Sequence, residues 1–173
     1  KRRIGVSPFE HSSVREPALT GGAFALPNNQ YAIAIPAEEL DLVAVMAVSN
    51  ETGAVIAPPE CDTDLLSDAT QALGKVPIDL GPIKYASCSA HKIYGPKGVG
   101  ALYARYAEFP DPLVRGGGQE NGHRSGTLNV PAIVGFGAAC ALATDRMVED
   151  HAHAMAMRSV VIEELASVSD WTT

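Results

Sequence analysis

The chain reads as an α/β domain, a mainly parallel sheet with flanking helices. Leu42 to Val48 (LVAVMAV) is an unbroken apolar run of strand length, the pattern of a parallel strand covered on both faces. Two further runs, around Leu65-Leu66 and from Tyr85, are separated from it and from each other by turn-forming stretches. With 46% apolar and 19% charged residues, the 173 residues support one ordered domain with a good core, or a domain plus part of another.

Ile4 to Phe9 is a short strand-like run. Glu10-His11-Ser12-Ser13 opens a helix with Ser12 or Ser13 as cap, and Pro17 ends or kinks it early. Gly21-Gly22 and Pro27-Asn28-Asn29 are turns, followed by the weakly alternating Tyr31 to Ile35. Pro36 starts a short helix over Ala37 to Leu40, favoured by Glu38 and Glu39 at its positive end. The Leu42 run ends at Ser49-Asn50-Glu51-Thr52-Gly53. Leu65-Leu66-Ser67 leads into Asp68, and Gly74 to Pro77 turns the chain towards Tyr85. Gly98 to Tyr106 is another strand. Asn129 caps a helix with Pro131 as its second residue and an apolar stripe of Ile133, Val134, Phe136, Cys140, Ala141 and Met147. A further amphipathic segment runs to about Val168.

The charge balance, 13 basic against 20 acidic residues and a net charge of −7, argues against a nucleic-acid partner. Cys61, Cys88 and Cys140 have neither disulfide nor zinc-site spacing and read as reduced cytoplasmic thiols. Metal ligation is not expected. The uncharged run Val130 to Thr144 falls short of the roughly 20 residues of a membrane span, and no secretory signal is expected.

Each of the three apolar runs is followed at once by polar residues that a turn alone does not require. These are Asn50, then Asp68 and Gln71, then Ser89, His91 and Lys92. Ligands of open α/β sheets sit at the carboxyl ends of the strands, so neighbouring runs would point these side chains into one crevice. The set suits pyridoxal 5'-phosphate (PLP). Lys92 offers an amine for its aldehyde and Asp68 a carboxylate to keep the ring nitrogen protonated. Gln71 or Asn50 can donate to the phenolate, and Ser89 and His91 can reach the phosphate. Each residue has a plainer reading. Asp68 alone is a helix cap, Asn50 a turn residue, Gln71 a surface amide and Lys92 a solvated charge. Their coincidence at three consecutive strand ends favours the joint reading.

The segment SAHKIYGPKGVGALYAR, Ser89 to Arg105, resembles the PLP-lysine motif of cysteine desulfurases of the NifS/IscS type, in class V of the aminotransferases. So do Glu10-His11-Ser12-Ser13-Val14, Asn50-Glu51-Thr52-Gly53, Ser67 to Pro77, Arg115 to Glu120, and Arg124 to Pro131 with Gly135-Phe136-Gly137. The resemblance covers most of residues 5 to 145. It implies an incomplete large domain of the fold type I PLP-dependent transferases over residues 1–145, with 146–173 a helical segment leading towards a small domain. By the resemblance, Lys92 holds the cofactor aldehyde, Asp68 pairs with the ring nitrogen and Gln71 sits at the phenolate oxygen. His11 stacks on the ring as a catalytic residue beside Lys92. Asn50 lies near the phenolate and the substrate carboxylate, Ser89 and His91 hold the phosphate, and Thr127 reaches the phosphate in the partner subunit of a homodimer. The implied substrate is L-cysteine, converted to L-alanine, with sulfur passing through an enzyme persulfide to an acceptor or scaffold protein.

The given residues depart from the family pattern in four ways. The glycine-threonine phosphate cup, the small domain with its persulfide cysteine and arginine, and a helix between Pro59 and Leu65 are not matched. None of the three cysteines stands at the sulfur-accepting position. The expectation is therefore weak PLP binding and no desulfuration by these 173 residues alone. Another class V aminotransferase or lyase, or an inactive dimer partner of the same fold, are the competing readings. A nucleotide loop at Gly95-Pro96-Lys97-Gly98 is poor, because no Gly-Lys-Ser/Thr follows.

Overall fold

The computed structural model describes residues 3–29, 32–36 and 39–168. Its sheet contains β1 (Ile4–Val6), β2 (Phe24–Ala25), β5 (Leu42–Ala44), β6 (Asp64–Asp68), β7 (Tyr85–Ser89) and β8 (Gly100–Ala104), with β3 (Asn28–Asn29) and β4 (Ala32–Ile33) forming a separate antiparallel pair. The strand order is β2-β1-β5-β6-β7-β8. Every pairing up to β7 is parallel, and β8 closes the far edge antiparallel to β7. A mainly parallel α/β sheet is what the apolar runs required.

The Leu42 run behaves as a strand covered on both sides. Val43, Ala44, Val45 and Met46 are all buried, and pairing continues past Ala44, since Val45 N–H donates to Leu66 O at 2.9 Å and Ala47 N–H to Asp68 O at 3.0 Å. Around Met46 and Val43 pack Leu26, Leu40, Ile56 and Leu65. Full burial of each large side chain contributes about 1.5–3 kcal/mol. From Ile56 to Thr63 the chain forms no helix, as the sequence led us to expect.

The first helix, α1 (Ser12–Thr20), differs from expectation at both ends. Its cap is His11, not Ser12 or Ser13, because the imidazole Nδ1 accepts the Ser13 N–H at 3.2 Å. Pro17 does not end it. The helix carries the proline in its interior and stops at Gly21, whose N–H reaches Pro17 O at 2.9 Å. Of the helix expected over Ala37 to Leu40, the first two residues lie outside the described set, as does Tyr31, and Leu40 is a buried non-helical residue.

The two C-terminal amphipathic segments are one helix, α2 (Val130–Val168). Asn129 caps it as expected, its Oδ1 accepting from Ala132 N–H at 3.2 Å. The packed face keeps Phe136 and Cys140 of the expected stripe but not Ile133 and Val134. Ala132, Phe136 and Ala139 are buried, whereas Ile133 and Val134 are 42% and 66% exposed. Small residues win because the helix comes close to the turns after β6 and β7. A Cβ on Gly74 would stand 2.6 Å from Ala143 Cβ, and one on Gly135 2.7 Å from Pro96. By length and composition alone α2 is apolar enough to cross a membrane, a property the shorter run Val130 to Thr144 did not reveal. Its first turns pack on the domain instead, and its surface carries Arg146 paired with Glu149 and Asp150.

Candidate functional site

Parallel pairing of β5, β6 and β7 sets their carboxyl ends side by side. Asp68 is opposite Ser87 in the register, and Ser89 ends β7 two residues later. Asn50 lies just beyond β5, in a turn closed by Gly53 N–H to Ser49 O at 2.9 Å.

Asp68 is buried, and its Oδ1 accepts the Thr70 N–H at 2.9 Å. The plain capping role is therefore real, although a turn follows instead of a helix. That bond uses one oxygen of the carboxylate. Gln71 is on the same turn, where its Oε1 accepts from Lys75 Nζ at 3.0 Å. Burial, then the nearby Lys92, hold the Lys75 ammonium below its usual range. Gln71, Lys75 and Lys92 thus form one neighbourhood.

Lys92 is exposed on a 3-10 turn, Ala90–Ile93, whose Ala90 and Ile93 are buried. These two anchors seat the turn against Phe136 and Ala139 of α2 and leave His91 and Lys92 on the open side. Tyr94 closes the turn in the left-handed region at φ 64°, and Gly95 N–H bonds back to Ala90 O at 3.0 Å. At the start of β8 only glycine fits, because a Cβ on Gly100 would lie 2.4 Å from Cys88 O.

Other candidates are placed more loosely. His11 is exposed, its Nδ1 committed to Ser13 Oγ at 2.8 Å and Ser13 N–H, so the neutral ring carries its hydrogen on Nε2. Asn50 turns outward, its Nδ2 donating to Glu51 Oε1 at 2.7 Å. Ser89 is half-buried. Thr127 is exposed ahead of α2 and hydrogen-bonds to none of the other candidates. Cys88 sits within β7, and burial pushes its thiol above the usual range, as suits an inert strand cysteine.

Two residues escaped the sequence reading as individuals. Lys75 was visible as a cation four residues after Gln71, the spacing of one helical turn. Glu10 is buried at 6% exposure and accepts the Met46 N–H at 2.5 Å. Its signal was an acid placed directly between a strand and His11.

Residues 24–173 match the family described as aminotransferase class-V. The chain belongs to the class-V aminotransferase family. Among curated relatives, the mitochondrial cysteine desulfurase of Arabidopsis thaliana is 51% identical over 121 residues, 63% of this chain and 26% of that protein. Cysteine desulfurase IscS of Rickettsia akari is 43% identical over 148 residues, 79% of this chain and 35% of its own length. A solved NifS-like protein superposes with a TM-score of 0.86 at 33% identity, covering 98% of this chain and 53% of that one. SspA in complex with cysteine gives 0.69 at 34% identity over 81% of this chain and 47% of its own. This class-V aminotransferase chain thus spans roughly a third of the curated relatives' length.

Proposed function

We propose that the protein is a PLP-dependent cysteine desulfurase, converting L-cysteine to L-alanine and passing sulfur through an enzyme persulfide to iron–sulfur cluster or thio-cofactor assembly. Residues 1–145 supply most of its cofactor-binding domain, and 146–173 lead towards its small domain. The observation that carries this reading is a buried carboxylate, Asp68, ending β6 and an exposed amine, Lys92, on the turn that follows the adjacent parallel strand β7. Identity to cysteine desulfurases supports the choice of substrate.

The donor set fits the cofactor. Asp68 is a largely buried residue with a carboxylate oxygen left over from its bond to Thr70, which suits a protonated ring nitrogen. When bound, PLP supplies an electron sink for the amino-acid substrate. Lys92 Nζ holds the aldehyde end. Asp68 keeps the proton on the ring nitrogen, His11 covers one ring face, and Gln71 and Asn50 orient the phenolate oxygen. Ser89 and His91 bind the phosphate, joined by Thr127 across a homodimer interface. The persulfide forms on a cysteine other than Cys61, Cys88 and Cys140. We assign a reducing compartment, the cytoplasm, in keeping with three free thiols, and neither a membrane nor nucleic acid enters the reading.

Adding PLP to the purified protein should raise a visible imine band that Lys92→Ala lacks. Equal spectra in the two proteins would remove Lys92 from this role. By themselves the 173 residues should release no sulfide from cysteine, and sulfide release would overturn that expectation.

A further inference from the structure

Glu10 is a buried acid to which the reading above gives no role. One oxygen is held by the Met46 N–H, while Oε2 is buried and has no hydrogen-bond partner. A buried carboxylate in this state is costly unless it keeps its proton. Glu10 and Asp68 flank the same strand extension, bound to neighbouring amides that point to its opposite edges. Met46 N–H binds Glu10, and Ala47 N–H, next along the same strand extension, binds Asp68 O at 3.0 Å. Asp68 is also the charged group whose field Glu10 feels. His11 follows Glu10 in sequence, and Lys75 and Lys92 stand on the turns after β6 and β7.

We propose that Glu10 is a positioning residue for Asp68, a neutral acid that gives up its proton when a cationic ring nitrogen docks on Asp68. The inference rests on the PLP reading. Free of cofactor, the Asp68 carboxylate opposes a second negative charge at Glu10. A cation on Asp68 cancels that opposition and lowers the proton affinity of Glu10. By linkage, cofactor uptake then releases a proton near neutrality, and affinity gains with pH in proportion to that change.

The test compares wild type with Glu10→Gln, which keeps an oxygen for the Met46 N–H but holds no titratable proton. PLP dissociation constants are read from the visible band at several values between about pH 5.5 and 8.5, with proton release measured calorimetrically in buffers of different ionisation enthalpy. The titrations of PLP, His11, Lys75 and Lys92 are common to both proteins and cancel in the ratio. The two affinities should agree at the acid end. Wild type should bind tighter by about tenfold at the alkaline end, the effect of about one pKa unit of like-charge relief. It should also release more protons near pH 7 than the variant. A ratio constant across the range, with equal proton release, would sink the role of Glu10 while leaving the cofactor reading intact. Wild type with no band at all would sink both.

Discussion

Burial at Glu10 has a consequence for the cofactor-free protein as well. Loss of water raises its pKa from 4.5 to about 7, the Met46 N–H and Ser7 hydroxyl offset part of the rise, and Asp68 adds to it. The folded state therefore holds this proton more tightly than the unfolded chain. Its contribution is fully present below about pH 4.5 and is lost as pH rises through about 7. The shift corresponds to roughly 3 kcal/mol. The difference between the wild type and a variant without this proton is the useful quantity. Stability of wild type relative to Glu10→Gln should fall between pH 4.5 and 7 and level off above. Parallel denaturant titrations would check this, and a pH-independent difference would contradict it. For Asp68 the local role and the proposed chemistry separate cleanly. Asp68→Asn retains an oxygen for the Thr70 N–H and should fold nearly as well as wild type, yet bind PLP at least tenfold more weakly, for want of a charge to hold the ring proton.

The turn carrying Lys92 owes its place to packing from outside the sheet. Ala90 and Ile93 meet Phe136 and Ala139 of α2, and Gly74 lets α2 come close to the turn after β6. Phe136→Ala should cost about 3–5 kcal/mol by opening a cavity at that contact. Gly74→Val should be destabilising for two reasons, a Cβ only 2.6 Å from Ala143 and a backbone at φ +68°. Thermal melts read both variants, and a change in either midpoint too small to resolve would contradict the packing argument. The sheet order around this contact was largely readable, because a strand buried on both faces leaves an unbroken apolar run and its end is marked by the first polar residue. The Leu42 run obeys this, whereas β6 runs on through the buried Ser67 and Asp68 and β7 carries Ser87 and Ser89 within it. The helices were less readable. Nothing in Ser12-Ser13 reveals that the preceding imidazole takes the capping bond, and a stripe drawn through Ile133 and Val134 overlooks alanines that pack because they are small. Glu10 was hidden for a related reason, since burial of an acid depends on a partner strand 36 residues away.

Beyond its first turns, α2 has little to rest on. Ala132, Phe136 and Ala139 are buried, but Val148, Met155, Met157, Val160, Val161 and Leu165 are all exposed. Among the described residues this stretch is mostly exposed, so it rests chiefly on its own backbone bonds and on surface pairs such as Arg146–Asp150 at 3.1 Å. Such segments are marginal in water, and their amides open easily. Stability along this one helix should therefore be graded. Amide exchange measured on the 173 residues should be slow from about Ile133 to Ala143 and rise steeply beyond Arg146, approaching the rate of an unstructured peptide near Leu165. Dilution should not change the profile if the outer half of the helix is bare. Slow exchange beyond Arg146 that disappears on dilution would show instead that the apolar face is covered by association. The contrast with the sheet gives an internal reference, because Val45 and Ala47 amides lie in the buried ladder between β5 and β6 and should exchange only on global opening. If both ends of α2 matched that reference at every concentration, the exposed face would have to be stabilised by something other than the packing of residues 132–143.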